Sequence, residues 1–179
     1  YGWINLLDKA GVVNRTSQAL TFMNENCLMF VPVTSAIEQA IINGKIPGIV
    51  ASGATVGSES FFENCTVTDQ EALAYYVKQY FIPMSTAVIS NYPFVGWGED
   101  TASQGGLITL QQDENEVNGQ VNITSTNMNI YDDGTKLSVG IINRATGTVN
   151  KRVNVISDYD YLPFVYDDGS IHFIEDVLE

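Results

Sequence analysis

Apolar residues recur at helical spacing up to about residue 80 and at strand spacing after residue 106, a change of period that predicts an α+β domain. Trp3, Leu6, Leu7 and Ala10 mark one face of a short helix that Gly11 should stop. A second short helix is expected over 16–23, with Ala19, Leu20 and Met23 inward. Leu28-Met29-Phe30-Val31 is a brief apolar run ended by Pro32, and it reads as a strand leaving the core. Thr34 or Ser35 can cap the next helix, Ala36, Ile37, Ala40 and Ile41 supply its buried face, and Gly44 closes it. The stretch 47–60 is rich in Gly, Ser and small residues and reads as loop. A further helix runs from Thr68 or Asp69 to Tyr80. There Thr68 and Glu71 have the form of a capping box, and Leu73, Tyr76, Val77 and Tyr80 share a face. Phe81-Ile82-Pro83 leads out of it.

Beyond an irregular stretch at 84–106, strands are expected at 107–110, 120–124, 136–142, 152–156, 164–166 and 171–174. Asn118-Gly119, Asp133-Gly134 and Asp168-Gly169 supply tight turns between some of them. Val121 and Ile123 alternate with Asn122 and Thr124, the pattern of one face of a half-buried sheet. The whole reads as one domain over 1–179, with N-terminal helices packed on a mostly antiparallel β-wedge or sandwich. No repeat or linker divides it.

Composition narrows the function. With 45% hydrophobic and 16% charged residues the chain is a folded globular one. Eight basic residues against 21 acidic ones give a formal net charge of -13, which repels polyanions. Nucleic acids and anionic lipid are therefore not expected partners. No window approaches the roughly 18–20 apolar residues that span a bilayer, so direct membrane insertion is not expected either. Tyr1 opens straight onto an amphipathic segment, which reads as a mature piece whose anchor, if it has one, would precede it. Cys27 and Cys65 either form a single bridge or are small buried apolar groups.

Candidate chemistry is sparse. His172 is the only histidine. Alternation puts it with Ile174 on one face of a short strand, opposite Ile171 and Phe173, beside a buried sheet. No nucleophile motif accompanies it, and a structural histidine is the expectation. One histidine and two cysteines 38 positions apart do not make a zinc site. The acidic groups Asp113-Glu114 with Glu116, Asp132-Asp133-Gly134, Asp158 with Asp160, and Asp167-Asp168-Gly169 lack the twelve-residue calcium-loop pattern and read as turns and solvated charge, with calcium the alternative. The glycines at 48, 53, 57, 105 and 106 do not form a phosphate cradle. No catalytic residue, metal or cofactor is assigned. Tyr92, Phe94 and Trp97, among glycines and a proline, are the candidate binding residues. They form an exposed cluster able to stack on sugar rings or anchor a protein, or else they pin a long loop to the domain. The chain also carries the sequons Asn14-Arg15-Thr16, Asn64-Cys65-Thr66 and Asn122-Ile123-Thr124, which matter only in a eukaryotic secretory pathway.

Four segments in order resemble the fasciclin-like domain family. Trp3 to Val12 is similar to the family's opening helix with its Leu-x-x-Ala-Gly-Leu ending. Leu28 to Ile37 resembles its first box, a strand of the form Thr-Val-Phe-Ala-Pro leading into a helix, here with Phe30, Pro32 and Ala36. Leu73 to Pro83 looks like the central segment, in which Tyr80-Phe81 stands where the family usually has Tyr-His before apolar residues and proline. Asp168 to Leu178 resembles the closing box Asn-Gly-x-Ile-His-x-Ile-Asp-x-Val-Leu, carried by Gly169, Ile171, His172, Ile174, Val177 and Leu178. The resemblance implies an extracellular or surface-displayed, non-catalytic adhesion module, with a structural histidine and an unidentified protein or glycan as partner. Sister domains can stand in the same parent chain. Phe81 replaces the histidine of the pair linked to integrin binding in some animal members, so that activity is not implied. The stretch 84–134 exceeds what the family needs and reads as an insertion. Enlarged members of this kind are similar to secreted or lipid-anchored surface proteins of gut-type Gram-negative bacteria. The alternative is a purely architectural spacer of a larger envelope protein, and a hydrolase acting on envelope polymer would require two facing acids in a groove.

Overall fold

A computed structural model describes residues 1–14, 16–17, 19–22, 26–83, 106–132, 136–156, 164–166 and 169–179. Helix α1 (Gly2–Lys9) buries Trp3, Leu6 and Leu7, and Ala10 after it, as the periodicity predicts. Gly11 takes φ +70° and completes a Schellman turn, its N–H donating to Asp8 O while the Val12 N–H donates to Leu7 O. A Cβ on Gly11 would meet the end of the Gln70 side chain at 2.7 Å. That amide can swing aside, losing its bond to the Lys9 carbonyl. Gly11→Ala is therefore expected to lower stability by about 1–2 kcal/mol, the cost of a left-handed residue bearing a Cβ. Urea unfolding would measure it, and Gly11→Asn should lose less.

The helix expected over 16–23 does not form. β1 (Val13–Asn14) and β2 (Ala19–Leu20) pair antiparallel instead. The Asn14 side chain accepts from the N–H groups of Thr16 and Ser17 at 3.0 and 3.1 Å, a local turn that competes with helix. Ala19 is exposed and Leu20 half-buried, and Met23 lies outside the described residues.

Strand β3 (Cys27–Pro32) leads through Val33 into α2 (Thr34–Ile42). Val33 is the N-cap, not Thr34 or Ser35, because the Thr34 hydroxyl is committed elsewhere: it accepts from the Gly2 N–H at 2.9 Å and so caps α1. Ile37, Ala40 and Ile41 are buried and Ala36 half-buried, and Gly44 closes the helix in a second Schellman turn. The stretch expected to be loop contains a short strand, β4 (Ile49–Ala51), paired with β5 (Cys65–Val67). Helix α3 (Gln70–Val77) is capped by Asp69, whose carboxylate accepts from the Ala72 N–H at 3.0 Å, and not by Thr68. A 3₁₀ turn over Lys78–Tyr80 carries it into β6 (Phe81–Pro83).

The second half is strand, as its period predicts. It holds β7 (Leu107–Val117), β8 (Gln120–Asp132), β9 (Leu137–Asn143), β10 (Thr148–Val149), β11 (Val153–Asn154), β12 (Phe164–Tyr166) and β13 (Gly169–Ile174). An antiparallel sheet has the order β10-β9-β8-β7, with β11 also on β9. The other large sheet, β12-β13-β3-β6, is mixed: β13 runs parallel to β3 with His172 beside Phe30 and Ile174 beside Pro32. This pair, at the centre of its sheet, is the exception among the described strand pairs to the mostly antiparallel expectation. Pro32 is tolerated there because β6 pairs only as far as Met29, so no strand on that side needs its missing N–H. The two sheets meet where Val155 bridges Ile174. The architecture is α+β, with helices packed against mixed antiparallel and parallel sheets.

Candidate functional site

Alternation along β3 and β13 gives their sheet two different faces. Leu28, Phe30, His172 and Ile174 point into the core and are buried. Met29, Val31, Ile171 and Phe173 point the other way, in register across the two strands, and are less enclosed as a group. The two segments that carry most of the family resemblance, over 140 residues apart in the chain, are thus neighbouring strands.

His172 is 3% exposed and its ring stacks on Phe30 at 5.5 Å between centroids. Burial pushes its pKa down to about 4, so at neutral pH the imidazole is uncharged. Among the described residues no three His, Cys, Asp or Glu side chains gather as metal ligands. Cys27 and Cys65 are both buried and no disulfide joins them, which decides the open question of a bridge.

The closing box is anchored by Tyr80, which is fully buried. Its hydroxyl accepts from the Leu178 N–H at 3.0 Å and shares a hydrogen bond of 2.7 Å with Tyr76. Burial drives both phenols well above their ordinary pKa, so these are permanent structural hydrogen bonds. Val177 and Leu178 are buried, Lys151 reaches Asp176 at 2.9 Å, and Lys45 reaches Glu179 at 2.8 Å. Tyr80, Val177 and Leu178 are therefore brought together in the core by packing and by the hydrogen bond from Leu178 to Tyr80. Pro83 is buried in register with Cys27, and Gly169 opens β13 beside the same cysteine.

Among the described residues, two surfaces stand out as able to make contacts. One is an apolar groove of roughly 770 Å³ between α1, the β1–β2 hairpin and the open face of the mixed sheet, lined chiefly by Trp3, Leu7, Leu20, Met29, Ile171 and Phe173. The Trp3 indole N–H donates to Met29 Sδ at 3.2 Å in its wall.

The other is an arm. β7 and β8 continue well past their junction with β9, which pairs β8 only from Met128 to Asp132. From Gln112↔Ser125 to Val117↔Gln120 the two strands pair with each other alone among the described residues, a ribbon reaching roughly 20 Å. Asn118 at φ +53° and Gly119 at φ +78° make its tip, the two-residue turn predicted there. At its root β7 takes four steps, Ile108 to Gln112, where β8 takes two, Asn127 to Ser125. This irregularity sharpens the local twist. Helix α3 braces that root. The Tyr75 hydroxyl donates to Asp113 at 2.9 Å and the Gln111 amide donates to the Tyr75 carbonyl at 3.1 Å, with Thr126 bonded to Gln111 in turn.

The half-buried sheet expected at Val121 and Ile123 is corrected here: they are 63% and 61% exposed, and Val117 is 54% exposed. Nothing described covers either face of the ribbon, so alternation marks two solvent faces. Sequence reasoning missed the arm as a site. Its signals were a strong Asn-Gly turn between segments rich in Gln, Asn, Thr and Glu and the alternation at Val121 and Ile123, which was read as a half-buried strand. The predicted binding residues Tyr92, Phe94 and Trp97 lie outside the described residues, as do Asp158, Tyr159, Asp160 and Tyr161. No described helix is long and apolar enough to cross a membrane. Compared with protein-family models, with curated proteins and with solved structures, the chain matches none.

Proposed function

We propose that this chain is a fasciclin-like, non-catalytic contact module of a cell surface, making weak multivalent contact with a protein or glycan through elements raised from an α+β base. The observation that carries the reading is the β7–β8 arm, a braced ribbon with three exposed β-branched side chains at and behind its tip. Burying them against a partner gains apolar area that the isolated chain leaves in water. The arm lies inside the stretch expected to be an insertion, where the base does not need it. The fasciclin-like part of the reading is supported by the side-by-side pairing of the two motif strands. Burial of His172 and the absence of a described ligand cluster favour contact over chemistry.

Linked modules of this kind gain avidity from simultaneous engagement. The test is a screen of the whole chain, displayed multivalently, over immobilised matrix proteins and glycans. Val121→Ser/Ile123→Ser and Trp97→Ala versions run beside it. A ligand retained by the parent and lost at least tenfold by the Val121/Ile123 variant is the expected result. Silence across the panel with all versions folded would move the assignment to an architectural spacer. Loss in Trp97→Ala alone would move the contact to the 92–97 segment.

A further inference from the structure

We infer, building on the reading of the arm as the contact element, that the open edge of β8 at 120–125 receives an extended basic segment of another protein as an added strand, with Lys or Arg at every second position. Three features of the arm define that partner. First, among the described residues β7 occupies one side of β8 along this stretch and nothing pairs with the other. Its backbone donors and acceptors form a ladder that one more strand continues, the mode by which sheet edges bind peptides. Second, β8 carries no charged residue from Gln120 to Tyr131. It lacks the lysines and prolines with which edge strands usually prevent such pairing.

Third, the side chains on one face are graded across the ribbon. Glu116 stands opposite Val121 and Glu114 opposite Ile123, so each cross-strand pair shares that face. All four side chains are exposed, and no basic group among the described residues pairs with either carboxylate. An added strand lies about 5 Å beyond β8 and about 10 Å from β7. A Lys or Arg projecting on this face from the added strand lays its aliphatic stem over Val121 or Ile123 and brings its cationic head to Glu116 or Glu114, as long basic side chains do at apolar–polar boundaries. The opposite face presents Gln120, Asn122 and Thr124 beside Val117, Asn115 and Asp113. Polar uncharged residues suit the intervening positions there. A second copy of the chain fits less well, because it brings its own formal charge of -13 to the same edge.

The probe is a fluorescent eight-residue peptide of alternating Lys and Thr, titrated into the full chain and followed by anisotropy. Two controls go with it: a peptide of the same composition with its four lysines grouped, and the alternating peptide N-methylated along one edge. The alternating peptide is expected to bind at least tenfold tighter than either control. Glu114→Gln/Glu116→Gln should weaken it about tenfold at 0.05 M salt, the size of two exposed ion pairs, and much less at 0.5 M. Equal binding of the grouped or N-methylated peptide would overturn strand addition in favour of unspecific attraction. Sedimentation of the chain alone as a dimer, abolished by Val121→Ser/Ile123→Ser, would overturn it in favour of self-pairing. No binding of the alternating peptide by a chain whose arm-dependent ligand survives from the panel sinks this inference and leaves the contact reading standing. No binding in either assay sinks both.

Discussion

Phe30→Ala is expected to cost about 3–5 kcal/mol, a large part of the 5–15 kcal/mol by which a domain of this size is stable. Phe30 is fully buried in β3, flanked by β6 and β13, and belongs to the same apolar cluster as Leu28, Ile37, Tyr80 and Ile174. Truncation removes the ring's transfer energy and leaves a cavity that neighbours on the two flanking strands cannot close without distorting the ladder. It also strips the stack from His172. Met29, one residue away, is the control. Its side chain faces the groove and is only half-buried, so Met29→Ala should cost about 1–2 kcal/mol, less than core truncations of this type. Urea unfolding of both variants, followed by far-ultraviolet circular dichroism, measures the difference. Equal losses would mean that the assignment of core and groove faces is wrong.

That assignment was only partly legible in the sequence. Leu28-Met29-Phe30-Val31 is apolar on both faces, so alternation said nothing about which side was core; in the partner strand it grouped His172 with Ile174 without saying that theirs was the core face. The parallel pairing of β3 with β13 was beyond local pattern, since each segment reads the same whichever strand it joins. The helices fared better where a cap and an apolar stripe agreed. α1 and its glycine stop were read as they are, whereas 16–23 had a stripe without a cap and yielded to the Asn14 turn. Thr34 shows a different limit: its hydroxyl caps a helix, but one 32 residues earlier in the chain. The arm was the largest omission, and for a physical reason. Alternation ordinarily marks a strand with one buried face. Here Val121 and Ile123 alternate with Asn122 and Thr124 although nothing described covers either face, so the pattern and the Asn-Gly turn marked a strand and not its exposure.

Acidification from pH 6.5 to pH 4 is expected to remove about 3 kcal/mol of stability through His172 alone. Its pKa in the folded chain is held down to about 4 by burial, against an ordinary value of 6.5. Above pH 6.5 the imidazole is neutral in both states and contributes no pH dependence. Between the two values the unfolded chain takes up a proton that the folded chain refuses, so stability falls by about 1.4 kcal/mol per pH unit. Below pH 4 both states are protonated and the loss levels off. Asp176 acts in a lower window. Burial raises its pKa, but the hydrogen bond from Lys151 and the Val177 N–H outweigh that and leave it depressed, so its contribution is lost only as pH falls below the ordinary carboxylate value. Subtracting the urea-derived stability of His172→Gln from that of the parent at each pH isolates the histidine. The imidazole proton resonances of the parent, which should not move until about pH 4, report it independently if the variant is too weak to measure. A midpoint near 6.5 would mean a solvated ring, or one held against a carboxylate. The closing strand would then carry a base of useful strength at neutral pH, and the case for contact over chemistry would have to rest on the arm alone.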